Sequence, residues 1–175
     1  MKNDIARVAA ISRKTAETDI KLNLAIDGAG TCNLKTSVPF LDHMLTLFAV
    51  HGFFDLSIEA SGDIEIDDHH TVEDIGICLG RAIGEALADK GGIARYGSCY
   101  LPMDETLSRV VIDFSGRAFL EHRVPENVEP VRDFSFQLVE EFMRAFAVNS
   151  AANLHTEVLY GRDAHHMAES LFKGL

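Results

Sequence analysis

Asp67-Asp68-His69-His70-Thr71-Val72-Glu73 and Asp163-Ala164-His165-His166-Met167-Ala168-Glu169 are two copies of one pattern, His-His-x-x-Glu, and each stands where a helix should begin. Working outward from the first copy, residues 5–13, 18–26 and 31–37 read as short strands, with Asp27-Gly28-Ala29-Gly30 supplying turn chemistry. Pro39 then precedes residues 41–51, whose apolar positions recur at helical spacing and which Gly52 is expected to stop. Residues 54–60 alternate as a strand, and a second helix begins near His69 and continues through a helix-like run over 74–90. Gly91-Gly92 punctuates the chain close to its midpoint. The order then repeats, with strands over 95–102, 107–113 and 117–123, a helix over 133–148, a strand over 153–160 and a helix from Ala164 onward. Phe48-Ala49-Val50-His51 and Phe146-Ala147-Val148-Asn149 occupy the same place in each half. The expectation is an α+β fold: an internally duplicated βββαβα unit, halves 1–90 and 91–175, with two four-stranded sheets and helices packed between or against them.

The spacing inside the repeated pattern has a chemical consequence. On a helix, residues i and i+4 share a face, whereas i and i+1 diverge by about 100°. His69 is therefore expected to share a metal with Glu73 while His70 aims elsewhere, and likewise His165 with Glu169 while His166 diverges. Such a motif serves two metals at once, and two copies facing each other would each lend the other's metal one histidine. Imidazole plus carboxylate suits Mn²⁺, Fe²⁺ or Zn²⁺, and the lack of cysteine in the cluster argues against a structural zinc site. His43, in Phe40-Leu41-Asp42-His43-Met44, and His155, in Asn153-Leu154-His155-Thr156, are candidates for one further ligand each. Eight protein ligands over two octahedral ions leave positions open for water or substrate, which marks a catalytic rather than a closed site. Asp42, Asp67 and Asp68 are expected to orient imidazoles from behind. A lone His-His pair is more often a surface or core feature, and acids gather at helix N-termini in any case; repetition with the same spacing to a glutamate is what favours metal. His51, at an expected helix end, and His122 are read as structural.

Composition bounds the rest. At 175 residues and 19.3 kDa the chain is one domain, or two half-domains fused, and buries about 70% of its extended surface without disulfides. With 47% hydrophobic and 25% charged residues it is neither disordered nor fibrous. Its 27 acidic against 16 basic residues give a net charge of -11, the wrong sign for a general nucleic-acid binder. Cys32, Cys78 and Cys99 are odd in number and lack C-x-x-C spacing, which argues for a reducing compartment. Asp4, Arg7, Arg13 and Lys14 interrupt any apolar run a signal peptide would need, and no stretch approaches the roughly 20 apolar residues of a membrane span. A cytoplasmic protein without membrane or nucleic-acid partners is expected.

Together with Thr15-Ala16-Glu17-Thr18, Phe40-Leu41-Asp42-His43-Met44-Leu45, Pro102-Met103-Asp104-Glu105 and Ser115-Gly116-Arg117, these motifs give a chain that resembles the imidazoleglycerol-phosphate dehydratases of histidine biosynthesis, from about Arg7 to Lys173. The resemblance implies a ribosomal protein S5 domain 2-like fold, two Mn²⁺ per active site, and trimers assembled into a 24-subunit homo-oligomer with sites between subunits. It implies metal ligation by His43, His69, His70, Glu73, His155, His165, His166 and Glu169. It also implies acid/base work by Glu17, with His70, Glu73 and His166 sharing in catalysis, and phosphate binding by Arg95, Arg117 and Lys173. The implied reaction is a hydro-lyase step converting imidazoleglycerol phosphate to imidazoleacetol phosphate. A proton must leave a carbon that is not acidic by itself, so the expected route passes through a metal-bound imidazolate that expels the neighbouring hydroxyl, while Glu17 moves the carbon proton. In a chain of net charge -11 a phosphate dianion needs local cations making charge-assisted bonds. Relatives usually continue past the position of Leu175 with a short basic and apolar tail, and no phosphatase domain precedes the motifs here, so dehydration alone is implied.

Two other readings differ in class. A two-metal hydrolase of a phosphorylated small molecule would hold its ions with bridging carboxylates, but here six histidines accompany two glutamates. A non-catalytic, metal-assembled module would use the ions as glue. Replacing Glu17 by Gln separates them: a dehydratase keeps assembly and metal and loses turnover, and a module has no turnover to lose.

Overall fold

The computed structural model describes residues 6–175. Ile5, the first residue of the strand expected over 5–13, lies outside the described residues. In chain order the elements are β1 (Val8–Lys14), β2 (Thr18–Ala25), β3 (Cys32–Lys35), α1 (Pro39–Gly52), β4 (Asp55–Gly62), α2 (His69–Leu87), β5 (Tyr96–Met103), β6 (Thr106–Asp113), β7 (Phe119–Arg123), α3 (Gln137–Ser150), β8 (Asn153–Tyr160) and α4 (Ala164–Gly174).

Period-two burial builds the strands. In β2, Thr18, Ile20, Leu22 and Leu24 face inward while Lys21 and Asn23 face water. The fold is α+β, with two four-stranded mixed sheets ordered β1-β2-β4-β3 and β5-β6-β8-β7. In both, the first, second and fourth strands of the half pair antiparallel, and the third lies parallel to the fourth across an intervening helix. α2 lies on β1 and β2, α4 on β5 and β6, and the helices pair as α1 with α4 and α2 with α3. One apolar core runs through both halves, from Leu22 and Ile58 through Leu79 to Phe142, Phe146 and Phe172.

α2 and α3 approach closely because two glycines leave room. A Cβ at Gly76 would lie 2.9 Å from the Phe142 carbonyl oxygen, and one at Gly80 2.6 Å from that of Phe146. Cys78, on the same helix, is buried among apolar groups, and burial pushes its thiol up to about 11, so it packs as a small hydrophobe.

Some boundaries depart from the sequence reading, and two have a visible cause. α3 begins at Gln137 rather than at 133, because Val131 and Phe134 bridge to each other and Arg132 takes a positive φ of 55°. Those residues turn before the helix can propagate. α1 is stopped by Phe53, whose φ is 57°, and not by Gly52 itself. Gly52 is needed for another reason: a Cβ there would lie 2.4 Å from the Phe54 ring. Among the described residues no helix is long and apolar enough to cross a membrane.

Candidate metal centre

The start of α4 is set by Asp163, whose side chain accepts from the backbone N–H of His165 (2.8 Å) and His166 (3.3 Å). The first turn therefore carries both histidines, and Glu169 follows one turn later. His165 Nε2 lies 3.1 Å from Glu169 Oε2, and α1 brings His43 Nε2 to 3.4 Å from the same oxygen. Donor atoms of His43, His165 and Glu169 all fall within 4.8 Å of one another. Phe40 walls the cluster, 5.4 Å from the His165 ring and 4.9 Å from Phe134. Glu169 is buried; burial alone would raise its carboxyl, but Lys173 and His165 outweigh that and hold it below the usual carboxylate range. A buried carboxylate facing two partly exposed imidazoles is a donor set that fits a borderline divalent cation with positions left open.

α2 presents the other copy differently. His69 Nε2 and Glu73 Oε2 are 3.6 Å apart, both side chains more than 40% exposed, and no third donor joins them among the described residues. The His70 ring stands at 88° to that of His69, with Nδ1 3.0 and 3.2 Å from the two oxygens of Asp63. His166 likewise stands at 83° to His165, with Nδ1 2.7 Å from Glu105 Oε2. These hydrogen bonds raise the proton affinity of both imidazoles. His155, on β8, lies near neither pair; its Nε2 meets Asn153 Oδ1 at 3.0 Å and its ring lies 5.7 Å from Phe119. Of the eight expected ligands, then, three converge, two form an open pair, and His70, His155 and His166 stand apart within one chain.

The expected supporting acids need correction. Asp42 accepts from the Thr36 N–H at 3.1 Å and Asp67 from the His69 N–H at 2.8 Å, so both serve the backbone. The Asp68 carboxyl makes no hydrogen bond to an imidazole among the described residues; burial and the charges of Asp67 and Asp133 push it up. The rings are held by Asp63 and Glu105, which sequence reasoning missed. Glu105 stood in the quoted Pro102-Met103-Asp104-Glu105 motif, but nothing local ties that turn to His166, and Asp63 carried no signal at all.

Glu17 sits in the β1–β2 turn, where Thr15 Oγ1 accepts from the N–H of Glu17 (3.1 Å) and Thr18 (2.9 Å). Thr18 Oγ1 donates to Asp74 Oδ2 at 2.5 Å, and Asp74 also takes Arg13 at 2.7 Å, which clamps the turn to α2 next to Glu73. The Glu17 charge is close enough to help raise His70. The expected phosphate-binding cations are not gathered in one chain. Arg95 makes two bonds to Asp113 (2.6 and 3.1 Å), whose carboxyl is held low by Arg95 and further by Arg117 and Lys90. Lys173 instead lies in α4, 2.5 Å from Glu169 Oε1. His51 is in the last turn of α1, and His122, largely buried on β7, meets Thr156 Oγ1 at 2.7 Å.

The chain is similar over most of its length to known proteins. The sequence profile described as imidazoleglycerol-phosphate dehydratase matches residues 36–175. The chain is 57% identical over 169 residues to the imidazoleglycerol-phosphate dehydratase of Methylorubrum populi, covering 97% of this chain and 87% of that one. It is 56% identical to that of Clostridium novyi, covering 93% and 83%. The crystal structure of the Staphylococcus aureus enzyme superposes with a TM-score of 0.86 at 40% identity, covering 95% of this chain and 92% of that one. The Pyrococcus furiosus structure gives 0.82 at 37% identity, covering 94% and 88%. A profile that spans most of the chain, relatives more than half identical and the same arrangement of sheets and helices lead to one conclusion: this chain belongs to the imidazoleglycerol-phosphate dehydratase family.

Proposed function

We propose that the chain is a hydro-lyase that dehydrates imidazoleglycerol phosphate to imidazoleacetol phosphate in histidine biosynthesis. The observation that carries this reading is the convergence of His43, His165 and Glu169 in a chain of that family. Two Mn²⁺ per active site are the ions proposed, as the family resemblance implies; imidazole with carboxylate suits borderline divalent cations of this kind. Bound cations of this kind supply Lewis-acid stabilisation to a ring that must accept electrons.

The rest is the work of this chain's own side chains. Glu17, an exposed carboxylate on a clamped turn, moves the carbon proton. Arg95, Arg117 and Lys173 take the phosphate through charge-assisted bonds, Arg95 exchanging Asp113 for it. The open pair His69–Glu73 and the isolated His70, His155 and His166 are completed by other copies of the chain, which supports a homo-oligomer with sites at its interfaces; its size, 24 subunits, is proposed from the family resemblance. The two halves, 1–90 and 91–175, are proposed to descend from one duplicated unit. A cytoplasmic location belongs to the same reading, since thiols such as Cys32 and Cys99 remain free.

The deciding experiment pairs an assay on imidazoleglycerol phosphate after Mn²⁺ reconstitution with the Glu17→Gln variant. Wild type should turn over, and the variant should keep its metal and assembly while turnover falls about 10²–10⁴-fold. A wild-type chain loaded with Mn²⁺ and inert towards this substrate would overturn the reading.

A further inference from the structure

The two first histidines of the repeated motifs, His69 and His165, each face a glutamate on their own helix. The second histidines differ: one turn after His70 stands Asp74, which Arg13 and Thr18 already hold, and one turn after His166 stands Ser170, so each takes its acid from elsewhere in the fold. We infer that Glu105 and Asp63 are positioning residues that set the tautomer and ring orientation of His166 and His70, so that each neutral imidazole offers Nε2 to a divalent cation; this rests on the metal reading above.

The geometry around Glu105 is specific. Its Oε1 accepts from the backbone N–H of Arg162 (3.1 Å) and Asp163 (2.9 Å) and from Thr106 Oγ1 (2.9 Å), which leaves Oε2 for His166 Nδ1 at 2.7 Å. An ionised carboxylate only accepts, so the ring nitrogen facing it must carry the hydrogen, and the other nitrogen keeps its lone pair. Three donors already directed at Oε1 favour the ionised carboxylate. Asp104, mostly exposed, lies 3.8 Å from His166 Nε2, beyond hydrogen-bonding distance. In the first half both oxygens of Asp63 face His70 Nδ1 and perform the same task.

Comparing the halves adds a second argument. Glu17 and Glu105 each precede the buried threonine that opens the second strand of its half, Thr18 in β2 and Thr106 in β6. In the second half that glutamate is committed to His166. In the first, Asp63 takes over the histidine and Glu17 is left exposed, with no side-chain hydrogen bond among the described residues. The acid that orients the ring thus stands on a different element in each half, and Glu17 is left without that task.

Glu105→Gln tests this sharply, because it preserves shape. The amide oxygen should stay with the two N–H groups and the Thr106 hydroxyl, which turns the NH₂ towards His166 Nδ1 and drives the ring hydrogen to Nε2. The variant should melt close to wild type, yet bind Mn²⁺ about 10–100-fold more weakly. Long-range ¹H–¹⁵N spectra of the metal-free full chain at mildly alkaline pH should show His166 as the Nδ1–H tautomer in wild type and Nε2–H in the variant. Asp63→Ala should weaken Mn²⁺ binding over the same range, and Asp63→Asn, whose oxygen still accepts, should restore part of it. Nε2–H tautomers for His166 and His70 in wild type, or unchanged Mn²⁺ affinity in Glu105→Gln and Asp63→Ala, would overturn the inference. Failure of wild type itself to bind Mn²⁺ would instead overturn the metal reading, and the tautomer spectra judge the positioning role whichever way that falls.

Discussion

The α4 side and the α2 side of the molecule carry the same five-residue spacing of histidines and glutamate, and they end in different states. On the α4 side, α1 delivers His43 and three donors meet; on the α2 side, His69 and Glu73 remain an open pair. The helix that could have supplied a third donor is α3. Counting back from the matched Phe48 and Phe146, the place of His43 in α1 is held in α3 by Glu141, which lines a cavity with His69, Asp67, Asp68 and Asp133. A local motif sets the angle between its own side chains, but the packed neighbour decides whether they become a cluster. The clamps behind α2 and α4 differ in the same way. Asp74 in α2 is held by Arg13 and Thr18, whereas Ser170, one residue after Glu169, meets Ser108 in a buried hydroxyl pair at 2.5 Å.

The largest effect expected from breaking this contrast is at His43. His43→Ala should weaken Mn²⁺ binding by more than the ~10–100-fold typical of an outer supporting residue, with loss of turnover. Glu141→Ala, at the matching place, should leave Mn²⁺ affinity within a few-fold of wild type. Isothermal titration of both variants gives the answer, and equal losses would erase the asymmetry between the halves.

Next come the clamps. Asp74→Ala leaves Arg13 without its partner in a mostly buried position and should cost about 3 kcal/mol, at the low end for a broken buried pair because Arg13 keeps some water. Ser170→Ala leaves one hydroxyl unmatched and should cost about 1 kcal/mol. Denaturant unfolding of the metal-free chain measures both. If the two costs proved equal, the charged clamp would hold no more than the neutral one.

The smallest effect is the slope with pH that His122, in the second half, contributes. Burial lowers the proton affinity of His122, with Glu140 and Arg144 acting in opposite directions on it. The unfolded chain takes up this proton near pH 6.5, but the folded chain does so only at lower pH. At this site protons therefore favour the unfolded state, and the His122 contribution to stability falls as pH drops below about 6.5. His122→Gln should flatten that limb of the stability profile in metal-free protein, as read by melting temperature; an unchanged slope would assign it to other groups.

Much of this was legible before any coordinates. Alternation with period two and helical spacing mark β2, β6, α1 and α2, because each depends on a residue's immediate neighbours. The same holds for the divergence of His70 from His69, which one helical turn imposes. The start of α3 was misplaced because the Val131–Phe134 bridge competes with helix formation, and no spacing rule announces a bridge. Asp42, Asp67 and Asp68 were assigned to imidazoles because they stand beside histidines in the chain, yet backbone N–H groups closer at hand claim Asp42 and Asp67.

Chain order was thus sufficient for the class of fold, the doubled motif and the kind of cation it suits, since each follows from interactions within a turn or a strand. Which ligands meet was settled by packing. His43 joins Glu169 because α1 lies on α4, and Glu105 reaches His166 because the β5–β6 turn abuts the start of that helix. Such contacts join residues far apart along the chain, and their free energy exists only once the apolar core has brought the two sheets and their helices together.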